Sequence, residues 1–432
     1  MLKSSFAARL AAPVLCACLA AAPARAQVQA LTLPQALREA RDNLDVALAR
    51  GGLAAARADV LAANRAPFPV LSGKLSSIDL QNGVGSGPWH SKRIDKGIGI
   101  DWTWERGDKR VLRTRGAEET AGAAAQDLDE VVVRQMLAAQ GAFYDLLAAQ
   151  QRLALTEALA DDVRQLADSS GRRARAGDLA RQDATRIEIE AERVRADAEA
   201  TVLERQRAAL ALGLLTGRAQ QAERLAVAGD WPPLASAAAS ADLAALAQAR
   251  PDVRAAARRV QAAQAAADGA RALRKADVTW GVSLNHYPGT STRLVELRAQ
   301  LPLQWGHGFE GEVGRALAQL RQAEDGHEQV QRAALADLRR LQLEAGTAGE
   351  RMRRYDQDIL PRARQVAQSA EFAYQRGALS LTDLLDARRT LRATLMEALA
   401  LRAEAAKAAG AWRLRTSPPA ADPLSHTSEG TP

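Results

Sequence analysis

Residues 94–105 read IDKGIGIDWTWE. Ile98, Ile100, Trp102 and Trp104 fall on one side of an extended chain, and Gly97, Gly99, Asp101 and Thr103 on the other. Three more segments break an otherwise helical chain. Residues 69–80 precede the first across the turn-rich loop QNGVGSGPWHSK (81–92), while residues 277–287 and 292–304 flank Pro288-Gly289-Thr290. In the third, Val278, Trp280, Val282 and Leu284 oppose Thr279, Gly281, Ser283 and Asn285; in the fourth, Val295, Leu297, Ala299 and Leu301 oppose Glu296, Arg298 and Gln300. Each segment approaches the roughly 9–11 residues that a tilted strand needs to cross a bilayer. Alternation alone fits two surface hairpins on a water-soluble protein equally well. The tryptophans favour the bilayer: Trp89, Trp102, Trp104, Trp280 and Trp305, five of the seven, fall in or beside the strands, where interfacial aromatic girdles sit. Four strands cannot close a barrel, since the smallest bacterial membrane barrels have about eight and hydrocarbon does not tolerate open sheet edges. Several chains must then share one.

Outside these segments the sequence is helical. Of the 432 residues, 47% are hydrophobic, mostly Ala and Leu, and only 4% are aromatic, which argues against an all-β globule, a disulfide miniprotein or a low-complexity chain. No proline lies between Pro88 and Pro232 or between Pro361 and Pro418, so long helices are permitted there. Leu155, Leu159, Val163 and Leu166 step by helical turns, as do Val330, Ala334, Leu338 and Leu341, while Leu384, Leu391 and Ala398 repeat by heptads. A helix over 109–170 would reach about 90 Å, far longer than a compact domain requires.

The N-terminus sets the compartment. Lys3 and Arg9, the apolar run 10–19 and Ala24-Arg25-Ala26 before Gln27 read as a secretory leader. Leu15-Cys16-Ala17-Cys18 offers a lipoprotein alternative that would leave Cys18 lipidated. Either way the chain is exported. Cleavage after Ala26 removes three of the 58 basic residues and both cysteines, so the formal charge falls from +7 to +4 and gives no reason to expect nucleic acid. After the leader there is no run of about 18 apolar residues, so a membrane crossing must be made by strands. The histidines at 90, 286, 307, 327 and 426 show no ligand spacing, and no nucleophile elbow or phosphate loop occurs. The reading is of a non-enzyme with no metal site and no cofactor.

The chain also repeats itself. Residues 45–71 align with 252–278, and Gly177-x-Leu179-x-x-x-Asp183 recurs as Gly377-x-Leu379-x-x-x-Asp383. The expected organisation is a leader (1–26), a first repeat of helix, hairpin and long helical hairpin (27–217), a linker (218–240), a second repeat (241–416) and a disordered tail (417–432). Glycine accepts positive φ, so Gly177 and Gly377 suit tight turns, with Leu179 and Leu379 as exposed apolar knobs beside Ala378 and Ser380.

LTLPQALREA (31–40), ARPDVRAAARRVQAAQAA (249–266), LPLQW (301–305) and RGALSLTDLLDARRTL (376–391) resemble the TolC-like outer-membrane efflux proteins. The resemblance implies a mainly α fold with a small β part: a homotrimer whose twelve-stranded barrel, four strands per chain, lies in outer-membrane lipid above a periplasmic helical coiled-coil tunnel. It implies the channel of a tripartite system, with a periplasmic adaptor (membrane fusion protein) meeting the tips at Gly177, Leu179, Gly377, Ala378, Leu379 and Ser380, and an inner-membrane pump of the RND type. TDLLDA (382–387) is similar to the segment that supplies the constricting aspartates of the family, which makes Asp383 and Asp386 a periplasmic gate. Three chains would set six carboxylates around one axis, repelling like charge and attracting cations. The first repeat keeps Asp183 but has Arg186 where the second has Asp386, so an Asp383–Arg186 contact between neighbouring tips would hold the gate closed. WERGDKR (104–110) resembles the E-x-G-x-K-R junction of the CzcC-like heavy-metal branch. The rival reading of the whole chain is a soluble periplasmic coiled-coil scaffold.

Overall fold

The computed structural model describes residues 30–233, 242–288 and 290–417. The leader, residues 234–240 of the expected linker and the tail beyond Ser417 lie outside them. Helices α1 (Leu33–Ala40) and α2 (Leu44–Ala63) lead to strands β1 (Val70–Ser76) and β2 (Asp95–Trp104), then to α3 (Lys109–Ala176) and its return α4 (Arg181–Leu215). The order then recurs as α5 (Leu243–Ala249), α6 (Pro251–Ala272), β3 (Val278–Tyr287), β4 (Ser291–Gln300), α7 (Glu310–Arg354), α8 (Leu360–Gln375) and α9 (Leu381–Thr416).

The four strands form one antiparallel sheet in the order β1-β2-β3-β4, with β1 and β4 as its edges. The first strand is shorter than the sequence suggests: Ser77 turns to φ 61° and ends pairing before Ile78 to Leu80. The fourth begins at Ser291 and stops at Gln300, just before Pro302, which has no N–H to donate to a ladder.

With no proline to stop it, α3 continues past the expected end at 170 to Ala176, 68 residues or about 100 Å. The spaced apolar positions are its seams: Val163 is buried and Leu166 packs toward Ile187 of α4. Leu338 and Leu341 of α7 pack with Val253 and Trp412. The counterpart of α3 is interrupted. Residues Tyr355–Ile359 form a π turn just before Pro361, whose missing N–H and ring cannot continue a regular α ladder.

The largest core lies midway along α3, where Phe143, Tyr144, Leu146, Leu212, Leu225 and Val227 are buried together. Tyr144 stacks on Trp231, and Leu31 forms a parallel bridge with Val227. The described first part of the linker is therefore packed against α3 and the N-terminal segment. Each repeat fixes its second helix by the same triangle. In the first, Asn43 donates to Gln135 (2.8 Å), Gln135 donates to Asp45 (2.7 Å), and the Asn43 side-chain Oδ1 accepts from Val46 N–H. In the second, Arg250 binds Asp252 through two bonds and Asp337 at 2.8 Å. Among the described residues no helix is long and apolar enough to cross a membrane.

Candidate functional site at the two ends of the molecule

The sheet presents two chemically opposite faces. Cross-strand register aligns Trp102 with Trp280, Ile100 with Val282 and Leu297, and Ile98 with Leu284 and Val295. Most of this row is exposed, Leu297 to 78% and Trp104 to 60%, and polar side chains join the face only toward its loop end, at Lys96, His286 and Arg293. On the opposite face Asp101 pairs with Arg298 across Gly281, and Ser72 donates to Asp101 at 3.3 Å. Asn285 donates to Glu296 (3.0 Å) and Ser283 (3.1 Å), and the Thr103 and Thr279 hydroxyls meet at 3.0 Å. The glycines of this face leave room for that layer. A Cβ at Gly97 would stand 2.3 Å from Asn285 Oδ1, and one at Gly281 2.2 Å from Asp101 Oδ1. An apolar face turned outward and a bonded polar face turned inward is the reverse of a water-soluble protein.

The five tryptophans divide between the two ends of the strands. Trp102, Trp104 and Trp280 sit at the helix end, with Trp305, 85% exposed, just past β4. Trp89 lies in a 3-10 turn of the 81–92 loop at the far end, under the Lys96 ammonium, 5.3 Å from its ring centre.

At the opposite pole both helical hairpins close by one turn geometry. Gly177 and Gly377 adopt φ 87° and 73°. Asp178 N–H reaches Arg173 O and Ala378 N–H reaches Ala373 O, both at 2.9 Å, so each glycine closes a Schellman turn. Leu179 and Leu379 are half-buried rather than exposed knobs, while Gly177, Gly377, Ala378 and Ser380 are open.

Asp383 and Asp386 are exposed on the first turns of α9. Asp383 has a local role, since Ser380 Oγ accepts its backbone N–H at 3.2 Å and donates to its carboxylate at 2.7 Å. In the first tip Arg186 lies 3.9 Å from Asp183 on its own helix. Contacts that the sequence reading missed join the two tips within the chain: Arg389 of α9 donates to Glu190 of α4 at 2.6 and 3.2 Å, and Arg392 pairs with Asp197 at 3.1 Å. Glu190 is only 7% exposed and the Arg389 bonds hold its carboxyl below the usual range, outweighing burial. Beneath that pair Ile187, Leu381 and Leu385 pack together. The pairing has no signature in the sequence, where the 200-residue shift sets Glu190 against Thr390.

The E-x-G-x-K-R residues build the strand-to-helix junction. Glu105 binds Arg113 at 2.9 Å, Lys109 binds Asp277 at 2.8 Å, and Gly107 at φ 79° takes the tight turn before α3. Among the described residues no cluster of His, Cys, Asp and Glu is placed to hold a metal ion.

The family model described as outer membrane efflux protein matches residues 33–218 and 243–413. The cobalt-zinc-cadmium resistance protein CzcC of Cupriavidus metallidurans is 26% identical over 291 residues, 66% of this chain and 68% of its own. The solved outer membrane protein VceC of Vibrio cholerae superposes with a TM-score of 0.73 at 16% identity, covering 89% of this chain and 95% of that one. A solved CusC, described in terms of folding and transmembrane channel formation, gives 0.74 at 19% identity, covering 89% and 91%.

Proposed function

This chain belongs to the outer membrane efflux protein family, and from that premise we propose that three copies pool their sheets into one twelve-stranded barrel set on a tunnel of their helices. The observation that carries this reading is the sheet itself, apolar outside, polar and bonded inside, with β1 and β4 left as edges. Open edges in hydrocarbon would leave rows of unsatisfied N–H and C=O groups, each costing several kcal/mol, so closure needs strands from further copies. The tryptophans at both strand ends then lie at the two interfaces.

The channel passes solutes from an inner-membrane pump and a periplasmic adaptor to the exterior. The exposed tips, Gly177 with Leu179 and the Gly377 to Ser380 segment, are the adaptor contacts. Similarity to a cobalt-zinc-cadmium resistance protein supports divalent heavy-metal cations as cargo, and the partner pump in this proposal is of the RND type. Asp386 and Asp383 form the entrance constriction, with Asp183 and Arg186 on the intervening tips. A ring of carboxylates concentrates cations at the entrance and binds divalent ions where they would enter.

Single-channel recording tests the gate. Asp386→Asn should raise conductance severalfold and weaken divalent block, and it is a cleaner variant than one at Asp383, whose carboxylate also holds the Ser380 hydroxyl that caps the helix. Unchanged conductance and unchanged block would remove the constriction from these residues.

A further inference from the structure

We propose that the rim where sheet meets helices binds the phosphate headgroups of anionic glycerophospholipids in the helix-side leaflet, through Arg106, Arg110 and Lys275. This rests on the reading of the strands as membrane-spanning. The outward alternation of β2 runs past its end: Trp102, Trp104 and Arg106 are exposed, while Asp101, Thr103 and Glu105 are partly covered. Arg106 therefore follows the tryptophans on the lipid side, at the depth where headgroups begin. Gly107 brings Lys275 to the same place, since a Cβ there would stand 2.8 Å from Lys275 Cδ.

Neighbouring cations are neutralised or engaged within the chain. Lys109 pairs with Asp277, Arg113 with Glu105 and Arg271 with Asp268, and Arg274 donates to Gly308 O at 3.0 Å. Arg106, Arg110 and Lys275 are exposed and have no ion-pair partner among the described residues, with Asp108 the exposed acid between them. At the far end of the strands the exposed cations Lys74 and Arg293 stand singly on the two edge strands. There Lys96 lies over Trp89 and donates to Lys92 O, and Lys92 donates to Gly85 O. Free guanidinium and ammonium groups beside exposed indoles thus mark the helix-side rim, and their charge complements an anionic headgroup.

The test uses the full-length assembly in vesicles of phosphatidylcholine mixed with phosphatidylglycerol, with one lipid or the other brominated, and reads quenching of the native tryptophans. Trp104, Trp280 and Trp305 lie beside the rim, whereas Trp231 is stacked in the helical body. Phosphatidylglycerol should be favoured about fivefold at low salt, falling toward parity at high salt. The triple variant Arg106→Gln, Arg110→Gln, Lys275→Gln should lose the preference, and the Arg→Lys variant at 106 and 110 should keep it. Equal quenching by both lipids in the unaltered protein, or a preference that survives the triple variant, would overturn the assignment. Loss of the preference to inorganic phosphate at matched ionic strength would assign a soluble anion instead and overturn it too. Quenching by neither lipid would mean that the strands are not in the bilayer, and would sink the barrel reading along with this one.

Discussion

Glu190 and Arg389 stand 199 positions apart, yet they make an ionic contact that joins the two tips within one chain. The Glu190 carboxyl is lowered in the folded state, so the unfolded chain binds its proton first as pH falls. Its contribution is complete above the ordinary glutamate value of about 4.3 and is lost as pH drops through the lower folded value. Hydrogen-exchange protection at the tips, corrected for the intrinsic rate at each pH, should therefore fall in that acid window in the unaltered protein, and Arg389→Gln should flatten the dependence. Removing Arg389 should cost roughly 1–2 kcal/mol at neutral pH, a figure reduced because the guanidinium is half-exposed. An identical acid profile in the variant would deny the pair this role. In sequence Glu190 looks like any acid on a solvated helix, and only folding reveals it as buried. Gly177 and Gly377 were legible because a left-handed turn between two helices has few other residues to use.

At the scale of elements, the strands were the most legible part, since period-two alternation and clustered tryptophans are both local signals. The end of β1 at Ser77 was not, because a single backbone dihedral decides it. The π turn at Tyr355–Ile359 had only Pro361 as its mark. The paired triangles were half visible: the Asp45-Val46 and Asp252-Val253 matches showed in the repeat, while their partners Gln135 and Asp337 lie on the long helices with no sequence signature. One triangle holds a single carboxylate through amides and the other pairs a guanidinium with two carboxylates, and they should differ in cost. Arg250 is 7% exposed, and burial of Asp337 is outweighed by bonds from Arg250 and Arg340 that keep its carboxyl below the usual range. Arg250→Ala would leave Asp252 without its cation and Asp337 held by Arg340 alone, and should cost about 2–3 kcal/mol. Asn43→Ala loses an amide network and a helix cap and should cost about 1 kcal/mol. Paired denaturant melts check the order, and equal costs would show that the ionic version adds nothing. The E-x-G-x-K-R string turns out to form the strand-to-helix joint, so its local task is mechanical and it speaks only weakly for cargo.

For the whole molecule, the central claim is that the sheet is one third of a barrel. The sequence has two cysteines, Cys16 and Cys18, and both lie outside the described residues, so engineered thiols on the strands report cleanly once these two are replaced by serine. Ser72 of β1 and Leu294, Glu296, Arg298 and Gln300 of β4 share the polar face at opposite edges of the sheet. Three strand spacings of about 4.8 Å put the two edges roughly 14 Å apart, beyond the roughly 7 Å limit of a disulfide, so one chain cannot bridge itself. The most direct measurement is oxidation of membranes carrying Ser72→Cys combined in turn with a cysteine at each of those four positions, followed by non-reducing electrophoresis. The account predicts that at least one pairing yields reducible dimers and trimers, with trimer as the largest species. Monomer alone at all four pairings would contradict it.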